Sequence, residues 1–286
     1  MSYSRRKFLQ TSGLLTAGAM LASNNIFAAK DPLNAYGIQL WTVKEDMMKD
    51  AKGTLKALAS YGYKQIEGFE GKNGMFWGMT VGEMKSYLAD LGMTMISSHC
   101  NINDKFEIKA ANAANMGMKY LICPYLGPQK TIDDYKRAAD NFNAKAEICK
   151  KNGLRFAYHN HGYSFQMTDG QMPQDVMMNN TNPDLVDFEM DMYWVITGGA
   201  NIDDYLKKFK GRWKLCHVKD RDKAADPKEA DASVILGTGS IDYPSILTKA
   251  KKAGVEYFIV EQEKFTGSTP LASAEADAKY MATLKV

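Results

Sequence analysis

The sequence predicts a (β/α)8 barrel, in which eight parallel strands close on themselves and helices cover the outside. Eight short apolar runs alternate with amphipathic stretches between residues 37 and 283. This alternation is typical of a parallel sheet with right-handed crossovers, and eight such units in about 250 residues suit a barrel. The rival is a doubly wound open sheet. A dinucleotide-binding sheet would usually show Gly-x-Gly-x-x-Gly after its first strand, and this chain has none there.

The predicted strands are short apolar runs bounded by polar residues and glycine. Runs of this length suit strands that are buried on both faces of a parallel sheet. They span residues 37–42, 64–69, 93–98, 119–124, 154–159, 185–190, 213–218 and 256–261. The longer links at 67–80, 160–182 and 219–241 are rich in Gly, Asn, Asp and Met. We predict that these links form loops at the mouth of the barrel, as a substrate lid would.

The predicted helices are the amphipathic stretches between these strands. They span residues 52–61, 80–91, 105–117, 131–152, 201–209, 242–253 and 270–283, with at most a short helix near 173–180. Glycine stands at several predicted helix ends, where a left-handed residue is favoured. These glycines are Gly62, Gly92, Gly117, Gly153 and Gly254, and each precedes a predicted strand.

Residues 1–29 have the pattern of a twin-arginine signal peptide, which leaves 30–286 as one mature domain. Arg5 and Arg6 precede a Phe-Leu pair, an apolar stretch at 14–21 and a small-residue cleavage site. The apolar stretch is shorter than the ~20 residues that span a bilayer. We therefore expect export to the periplasm and no membrane anchor after signal cleavage. Twin-arginine export carries folded proteins, often with a cofactor loaded, which suits a metalloprotein.

Charge and cysteine content narrow the functional class. The net charge of +3 includes three basic residues of the signal segment, so the mature chain is near neutral and has no basic stripe for nucleic acid. The chain has four cysteines, and none forms a Cys-x-x-Cys pair. Because three of them lie on or just after predicted core strands, we predict buried free thiols rather than disulfides. The cysteines are Cys100, Cys123, Cys149 and Cys216.

All four histidines, together with two acidic residues, lie where predicted strands end. They are His99 after the third strand, His159 and His161 after the fifth, Asp191 after the sixth, His217 after the seventh and Glu261 after the eighth. Active-site residues of such barrels lie at the carboxyl ends of strands. His159 and His161 share a face because strand side chains alternate. Two imidazoles and two carboxylates suit one divalent ion, with manganese or zinc ahead of magnesium or cobalt.

Several further residues near the strand ends are candidates for contact with a substrate. They are Trp41, Glu67, His99, Trp194 and Lys219. Tryptophan rings of this kind stack on sugar rings or belong to the core, and Lys219, on the face of His217, could bind a hydroxyl or an anion. His99 could equally be a satisfied core residue, and Glu67 a surface charge. We expect segment 236–242 to shape a turn with Asp242 as a helix N-cap, although it looks like a phosphate loop.

These motifs resemble those of the xylose isomerase-like sugar phosphate isomerase/epimerase barrels, which have a TIM barrel fold. The motifs are 158–161 (Tyr-His-Asn-His), 189–194 (Glu-Met-Asp-Met-Tyr-Trp), 217–220 (His-Val-Lys-Asp), 237–242 (Gly-Thr-Gly-Ser-Ile-Asp) and 260–262 (Val-Glu-Gln). The resemblance runs from residue 37 to the C-terminus. It implies that Asp191, His217 and Glu261 hold one divalent ion. Where the family has a strand-five glutamate as fourth ligand, this chain has His159, or functionally His161.

The resemblance implies metal-assisted proton abstraction next to a sugar carbonyl, and the expected export favours a free or keto sugar as the substrate. Family epimerases use the strand-five and strand-eight glutamates as an acid/base pair, and of that pair this chain keeps Glu261. We therefore expect His159 or His161 to supply the second group. The outcome could be isomerisation, epimerisation, or β-elimination by a lyase acting on a keto-sugar or keto-glycoside. A non-catalytic periplasmic carbohydrate-binding protein is the alternative from another class.

Other implications of the resemblance concern partners. Phosphorylated sugars are largely cytoplasmic, so the expected export favours an unphosphorylated carbohydrate. The endonuclease branch of the family holds three zinc ions and needs more histidines than the four present here. Barrels of this family often form homodimers, but the sequence identifies no interface.

Overall fold

Eight parallel strands close into a barrel in the computed structural model, which describes residue 33 and residues 35–227 and 229–286. In the barrel, β1 to β7 follow one another in chain order, and β10 closes the ring between β7 and β1. These strands are β1 (Gly37–Gln39), β2 (Gln65–Phe69), β3 (Thr94–His99), β4 (Tyr120–Cys123), β5 (Arg155–His159), β6 (Val186–Asp191), β7 (Trp213–Val218) and β10 (Tyr257–Val260). A separate antiparallel hairpin pairs β8 (Asp220–Arg221) with β9 (Ser233–Val234). The predicted fold class is confirmed.

Ten α-helices in the described part of the chain link or follow these strands. They are α1 (Lys44–Lys49), α2 (Ala51–Tyr61), α3 (Val81–Asp90), α4 (Phe106–Met116), α5 (Ile132–Lys151), α6 (Pro173–Asn180), α7 (Met192–Thr197), α8 (Ile202–Lys208), α9 (Tyr243–Ala253) and α10 (Pro270–Thr283). Every predicted helix is present, with bounds within a residue or so. The predicted terminal glycines all have positive φ, for example +106° at Gly62 and +107° at Gly254, as a left-handed helix end requires.

The first strand is shorter than predicted. It ends at Gln39, whose side-chain oxygen accepts a hydrogen bond from the Trp41 backbone N–H at 3.1 Å. This cap starts a 3-10 helix over Leu40–Val43. Trp41 therefore lies on a turn at the mouth of the barrel, where 38% of its surface is exposed, instead of in a strand.

Short elements inside predicted links were missed by the sequence analysis. Helices α1 and α7 have six residues each, too few to show a helical period. Helix α7 begins because the Asp191 carboxylate caps it, accepting the Trp194 backbone N–H at 3.0 Å. The β8–β9 hairpin lies inside the link 219–241 that was predicted to be loop.

The turn at 236–242 is folded around a carboxylate of its own chain. Asp220 accepts hydrogen bonds from the backbone N–H groups of Gly237, Gly239 and Ile241 at 2.9–3.1 Å. A Cβ at Gly239 would lie 2.2 Å from Asp220 Oδ1, so this approach requires glycine. Asp242 caps α9, as predicted, through the Ser245 N–H. The segment binds Asp220 rather than an external phosphate.

Layers of side chains fill the barrel interior, and the polar residues occupy the layer nearest its mouth. A compact apolar cluster inside the strands comprises Ile96, Tyr120, Ile122, Ala157, Leu215 and Ile259. Three polar residues each follow a member of this cluster by two positions in the sequence. His159 follows Ala157, His217 follows Leu215, and Glu261 follows Ile259. Because side chains alternate along a strand, these three polar side chains form the next layer toward the mouth.

The remaining predictions concern the cysteines, the signal peptide and membrane spans. All four cysteines are buried and free, as predicted. Residues 1–29, predicted to be a signal peptide, lie outside the described residues. Within the described residues, no helix has the length and hydropathy needed to cross a membrane.

Candidate metal centre

Three polar side chains from neighbouring strand ends, those of His159, Asp191 and His217, surround a common space, and Glu261 lies beside them. His159 Nε2 lies 3.4 Å from Asp191 Oδ2. His217 Nδ1 lies 3.5 Å from the same oxygen and 3.3 Å from Glu261 Oε2. Ligand atoms of a tetrahedral ion with bonds of about 2.0–2.2 Å are separated by roughly 3.3–3.6 Å. The spacing therefore fits a small divalent cation.

Three buried atoms that face this space are unpaired. His159 Nε2, Asp191 Oδ2 and His217 Nδ1 are all buried and have no hydrogen-bond partner among the described residues. Buried polar atoms are normally paired, because leaving them unpaired is costly. Imidazole nitrogen and carboxylate oxygen are the donors that zinc and manganese accept. The donor set and its unpaired atoms thus fit a divalent metal ion.

The opposite atom of each candidate ligand is held by the protein. The His159 Nδ1–H donates to the Pro124 carbonyl at 3.1 Å, which leaves the Nε2 lone pair free. The His217 Nε2–H donates to Glu67 Oε1 at 2.8 Å, which leaves the Nδ1 lone pair free. Asp191 uses Oδ1 to cap α7, which leaves Oδ2 free. Such outer hydrogen bonds fix the tautomer and orientation of metal ligands.

A second polar cluster lies directly behind these ligands. Glu67 accepts hydrogen bonds from the Gln39 amide at 2.8 Å and the Ser97 hydroxyl at 2.6 Å, besides that from His217. Burial alone would raise the pKa of Glu67, but the charges and hydrogen bonds of His99 and His217 hold it well below its usual range. Glu67 is an ionised, fully buried hydrogen-bond acceptor and does not line the cavity.

His99 joins this rear cluster to the cavity. Its Nε2 lies 2.8 Å from Glu189 Oε2 and 3.1 Å from Glu67 Oε1. Burial would lower the pKa of His99, but the two carboxylates outweigh it and raise the pKa to about 9. The ligand atoms of Glu67, His99, Glu189 and His217 also lie within 4.8 Å of one another. Because Glu67 already accepts several hydrogen bonds, we assign this cluster a supporting role rather than a second ion.

Lys219 is buried beside the candidate ligands instead of in the cavity wall. Its Nζ lies 3.4 Å from Glu261 Oε2 and forms an ion pair with Glu263. It also lies 4.8 Å from the Tyr193 ring centre and 5.1 Å from that of Trp194. Burial opposes its charge, but the surrounding carboxylates raise the pKa of Lys219. Lys219 and His217 in turn lower the pKa of Glu261 against the effect of burial.

A cavity of about 600 Å³ opens above this layer. Its walls include five residues that the sequence analysis selected: Trp41, His99, His159, His161 and Glu261. Trp194 lines a neighbouring cavity together with Tyr125 and His161. Glu67 and Lys219 do not appear in the walls of the main cavity, so their contacts with a substrate would be indirect.

His159 and His161 occupy different positions. The two rings are 4.8 Å apart and nearly perpendicular, and His161 stacks on Tyr163 with ring centres 5.6 Å apart. His159 reaches the ligand cluster, whereas His161 forms part of the cavity wall. Burial, reinforced by His159, holds the pKa of His161 well below its usual value, so His161 is neutral at pH 7.

Some residues of the site were missed by the sequence analysis. Glu263, which contacts Lys219 and lines the cavity, stands two residues after Glu261 and could have been found from strand alternation. Tyr125 follows β4 and lines two cavities, but one sequence does not separate it from other loop aromatics. The Pro124 carbonyl carries no side-chain signal at all.

Fold and site together define a (β/α)8 barrel with a candidate metal centre at the carboxyl ends of its strands. Residues 55–284 match the model of the xylose isomerase-like TIM barrel family, so the chain belongs to that family. A sugar phosphate isomerase/epimerase from Parabacteroides distasonis ATCC 8503 is similar in structure. It is 26% identical with a TM-score of 0.75, and the match covers 93% of this chain and 98% of that one.

Two further similarities are to an inosose dehydratase and to a structure that contains zinc. An inosose dehydratase of Clostridium perfringens (strain 13 / Type A) is 26% identical over 163 residues, 52% of this chain and 54% of that protein. The chain thus spans about half the length of the curated relatives that it matches. A structure of the IOLI protein with bound zinc is 17% identical, with a TM-score of 0.70 and coverage of 86% and 95%, and it shows likeness of fold alone.

Proposed function

We propose that this protein is a divalent-metal-dependent enzyme that removes a proton next to the carbonyl of a free or keto sugar and so isomerises or epimerises it. The single observation that carries this proposal is the group of unpaired ligand atoms on His159, Asp191 and His217, which lies beneath a cavity lined by Glu261 and His161. Membership of the xylose isomerase-like family supports it.

His159, Asp191, His217 and Glu261 would hold the ion, and His159 rather than His161 is the strand-five ligand in this proposal. The ligand spacing matches the tetrahedral geometry of zinc, and the mixed nitrogen and oxygen donors suit zinc or manganese. A bound ion would supply positive charge that polarises the carbonyl and stabilises the negative charge that develops on its oxygen. The chain's own residues must then move the proton.

Two groups at the cavity wall are in their basic form at neutral pH. Lys219 keeps Glu261 ionised, and burial keeps His161 neutral. Either can therefore accept the α-proton, and the protonated group can return it to the neighbouring carbon or to a leaving oxygen. A positioned base of this kind contributes about 10²–10⁴-fold to the rate.

The cavity favours an unphosphorylated sugar. Its walls carry Glu70, Glu261 and Glu263, and neither lysine nor arginine lines it within the described residues. The one cationic side chain of the wall among the described residues, His99, is already paired with Glu67 and Glu189, so no side chain there is free to bind a phosphate. The twin-arginine pattern of residues 1–29 supports the further proposal that the protein acts in the periplasm, where free and keto carbohydrates are expected.

β-Elimination from a keto-sugar or keto-glycoside is the second candidate. The matches to inosose dehydratases favour it. The active site adds support, because an imidazole stands where family epimerases have a second carboxylate, which makes the two faces of the cavity unlike each other. Elimination begins with the same proton abstraction, and the two reactions differ in whether an oxygen leaves from the next carbon.

Hydrogen–deuterium exchange at the substrate tests this function. The protein, loaded with zinc or manganese, would be incubated in D2O with ketoses, keto-inositols and keto-glycosides, and NMR would follow the α-proton and any unsaturated product. We expect exchange with at least one class, and a loss of about 10²–10⁴-fold in His161→Gln or Glu261→Gln. Glu256→Gln is the matched control, since Glu256 is an exposed residue paired with Lys214. Sugar binding without exchange in any class would instead favour a non-catalytic carbohydrate-binding protein.

A further inference from the structure

The cleft continues beyond the candidate metal centre. A second cavity of about 610 Å³ adjoins the first, and the two share Trp41, Phe69, Glu70 and Gly71 as walls. Each cavity alone lies within the roughly 300–1,000 Å³ of a small-molecule site. A single sugar ring placed at the ion would leave this outer cavity unfilled.

Three aromatic rings form a continuous shelf along the outer cavity. Phe69 lies between Trp41 and Trp77, with edge-to-face contacts at ring-centre distances of 5.0 and 4.9 Å. All three rings line the outer cavity, and Trp41 and Phe69 line the inner one as well. Neighbouring rings are nearly perpendicular, so the row presents ring edges and faces in turn, and Lys44 Nζ lies 3.8 Å from the Trp41 ring centre. The row is an apolar wall against which the C–H groups of a sugar can pack, and we call it the aromatic shelf.

Trp77, at the outer end of the aromatic shelf, has an unusual backbone conformation. Its φ of +56° lies in the left-handed region, which is strained for a large side chain. Its Nε1 is buried and has no hydrogen-bond partner among the described residues. Backbone strain at a cavity wall is a feature of binding sites, and here it fixes the Trp77 ring in the wall of the outer cavity.

Polar groups around the shelf are balanced in charge. Lys44, Lys72, Glu45 and Glu70 line the outer cavity. Glu70 stands where the two cavities meet, with Oε2 accepting hydrogen bonds from Lys109 Nζ and from the Asn101 N–H, each at 2.8 Å. Its Oε1 receives no hydrogen bond from the described part of the chain. Two cations and two carboxylates favour a neutral ligand rich in hydroxyl groups over a phosphate or a uronate.

We propose that the outer cavity binds the second ring of a neutral glycoside, so that the substrate is a two-ring carbohydrate. One ring would lie over the candidate metal centre, the linkage would pass Glu70, and the second ring would pack against the aromatic shelf. This inference relies on the proposed function for the position of the first ring. The shelf itself is a separate binding feature, and it can be tested without turnover.

Calorimetric titration of the metal-loaded protein tests the second-ring subsite. The ligands are the methyl α- and β-glucosides and the α- and β-linked glucose disaccharides. We expect a disaccharide of the matching linkage to bind at least about tenfold more tightly than its methyl glycoside, because it buries a further ring. Trp77→Ala should remove most of this ratio.

Trp77 is buried, so Trp77→Ala could lose binding by failing to fold. A second variant, at an exposed residue, separates binding from folding. Met48 lines the outer cavity and is 51% exposed, so Met48→Ala should fold and should lower the ratio about threefold. Met167→Ala is the matched control, since Met167 is 62% exposed and lines neither cavity, and the ratio should be unchanged. The subsite would be overturned if the methyl glycosides and the disaccharides bound with equal affinity, or if neither bound. It would also be overturned if the affinity ratio were the same in Trp77→Ala and Met48→Ala as in the unsubstituted protein. Absence of deuterium exchange would leave it standing, which separates its failure from that of the proposed function.

Discussion

At the scale of single residues, the site depends on atoms that no substrate or ion touches. His217 can present Nδ1 because Glu67 accepts its Nε2–H, and His159 can present Nε2 because the Pro124 carbonyl accepts its Nδ1–H. Each imidazole is thereby fixed in one tautomer and one orientation. The position of the free lone pairs is therefore determined one contact behind the ligands themselves.

Substitution of Glu67 tests this dependence. In Glu67→Gln, the amide competes as a donor and removes the negative charge that faces His217, so we expect zinc or manganese affinity to fall by about 10–100-fold. The measurement is metal affinity by competition with a chromogenic chelator. Glu256→Gln is the matched control on the surface and should bind metal as the unsubstituted protein does. Unchanged affinity in Glu67→Gln would show that His217 needs no orienting partner.

The candidate ligands were predictable from the sequence, but the residues that hydrogen-bond to them were not. Strand alternation placed His159, His217 and Glu261 at strand ends, and the structure gathers them in one layer. The role of Glu67 was out of reach, because its partner His217 is 150 residues away across the barrel. Such a contact depends on strand tilt and side-chain length, and a single sequence records neither.

At the scale of elements, α10 is joined to the turn that follows the β8–β9 hairpin through one buried carboxyl. Asp277 on α10 accepts the Leu236 backbone N–H at Oδ1, at 2.8 Å, and its Oδ2 is buried without a partner in the described residues. Burial, together with the negative charge of Asp220, raises the pKa of Asp277 to about 7, although the Leu236 hydrogen bond opposes this. The group is therefore more easily ionised in the unfolded chain than in the folded one.

This shift predicts a pH-dependent stability. Between pH 4 and pH 7 the folded protein holds a proton on Asp277 that the unfolded chain has lost, so the free energy of unfolding falls as pH rises through this window. Asp277→Asn keeps the acceptor and removes the titration, so it should flatten this fall, by about 4 kcal/mol at most. Urea unfolding at pH 5 and pH 8 measures the effect. Asp140→Asn, at an exposed position of α5, is the control, and an equal fall in both variants would contradict the assignment.

At the scale of the whole molecule, the barrel was predictable because its signals repeat. Eight apolar runs and the glycines at helix ends fixed the order of elements, and the family match agrees with it. The six-residue helices α1 and α7 and the two-residue strands of the hairpin were not predictable, because their ends are set by side-chain caps and loop packing. These short elements lie at the mouth of the cleft. The barrel was therefore more predictable from the sequence than the substrate-binding surface.

The decisive experiment is metal analysis of the purified protein beside an Asp191→Ala variant. We expect about one equivalent of zinc or manganese in the unsubstituted protein, because the unpaired donor atoms of His159, Asp191 and His217, with Glu261 beside them, can enclose one ion. We expect Asp191→Ala to lose the ion and Asp140→Ala, on the surface of α5, to keep it. If the unsubstituted protein holds no metal after incubation with zinc or manganese, or if Asp191→Ala retains it fully, these residues do not form a metal centre.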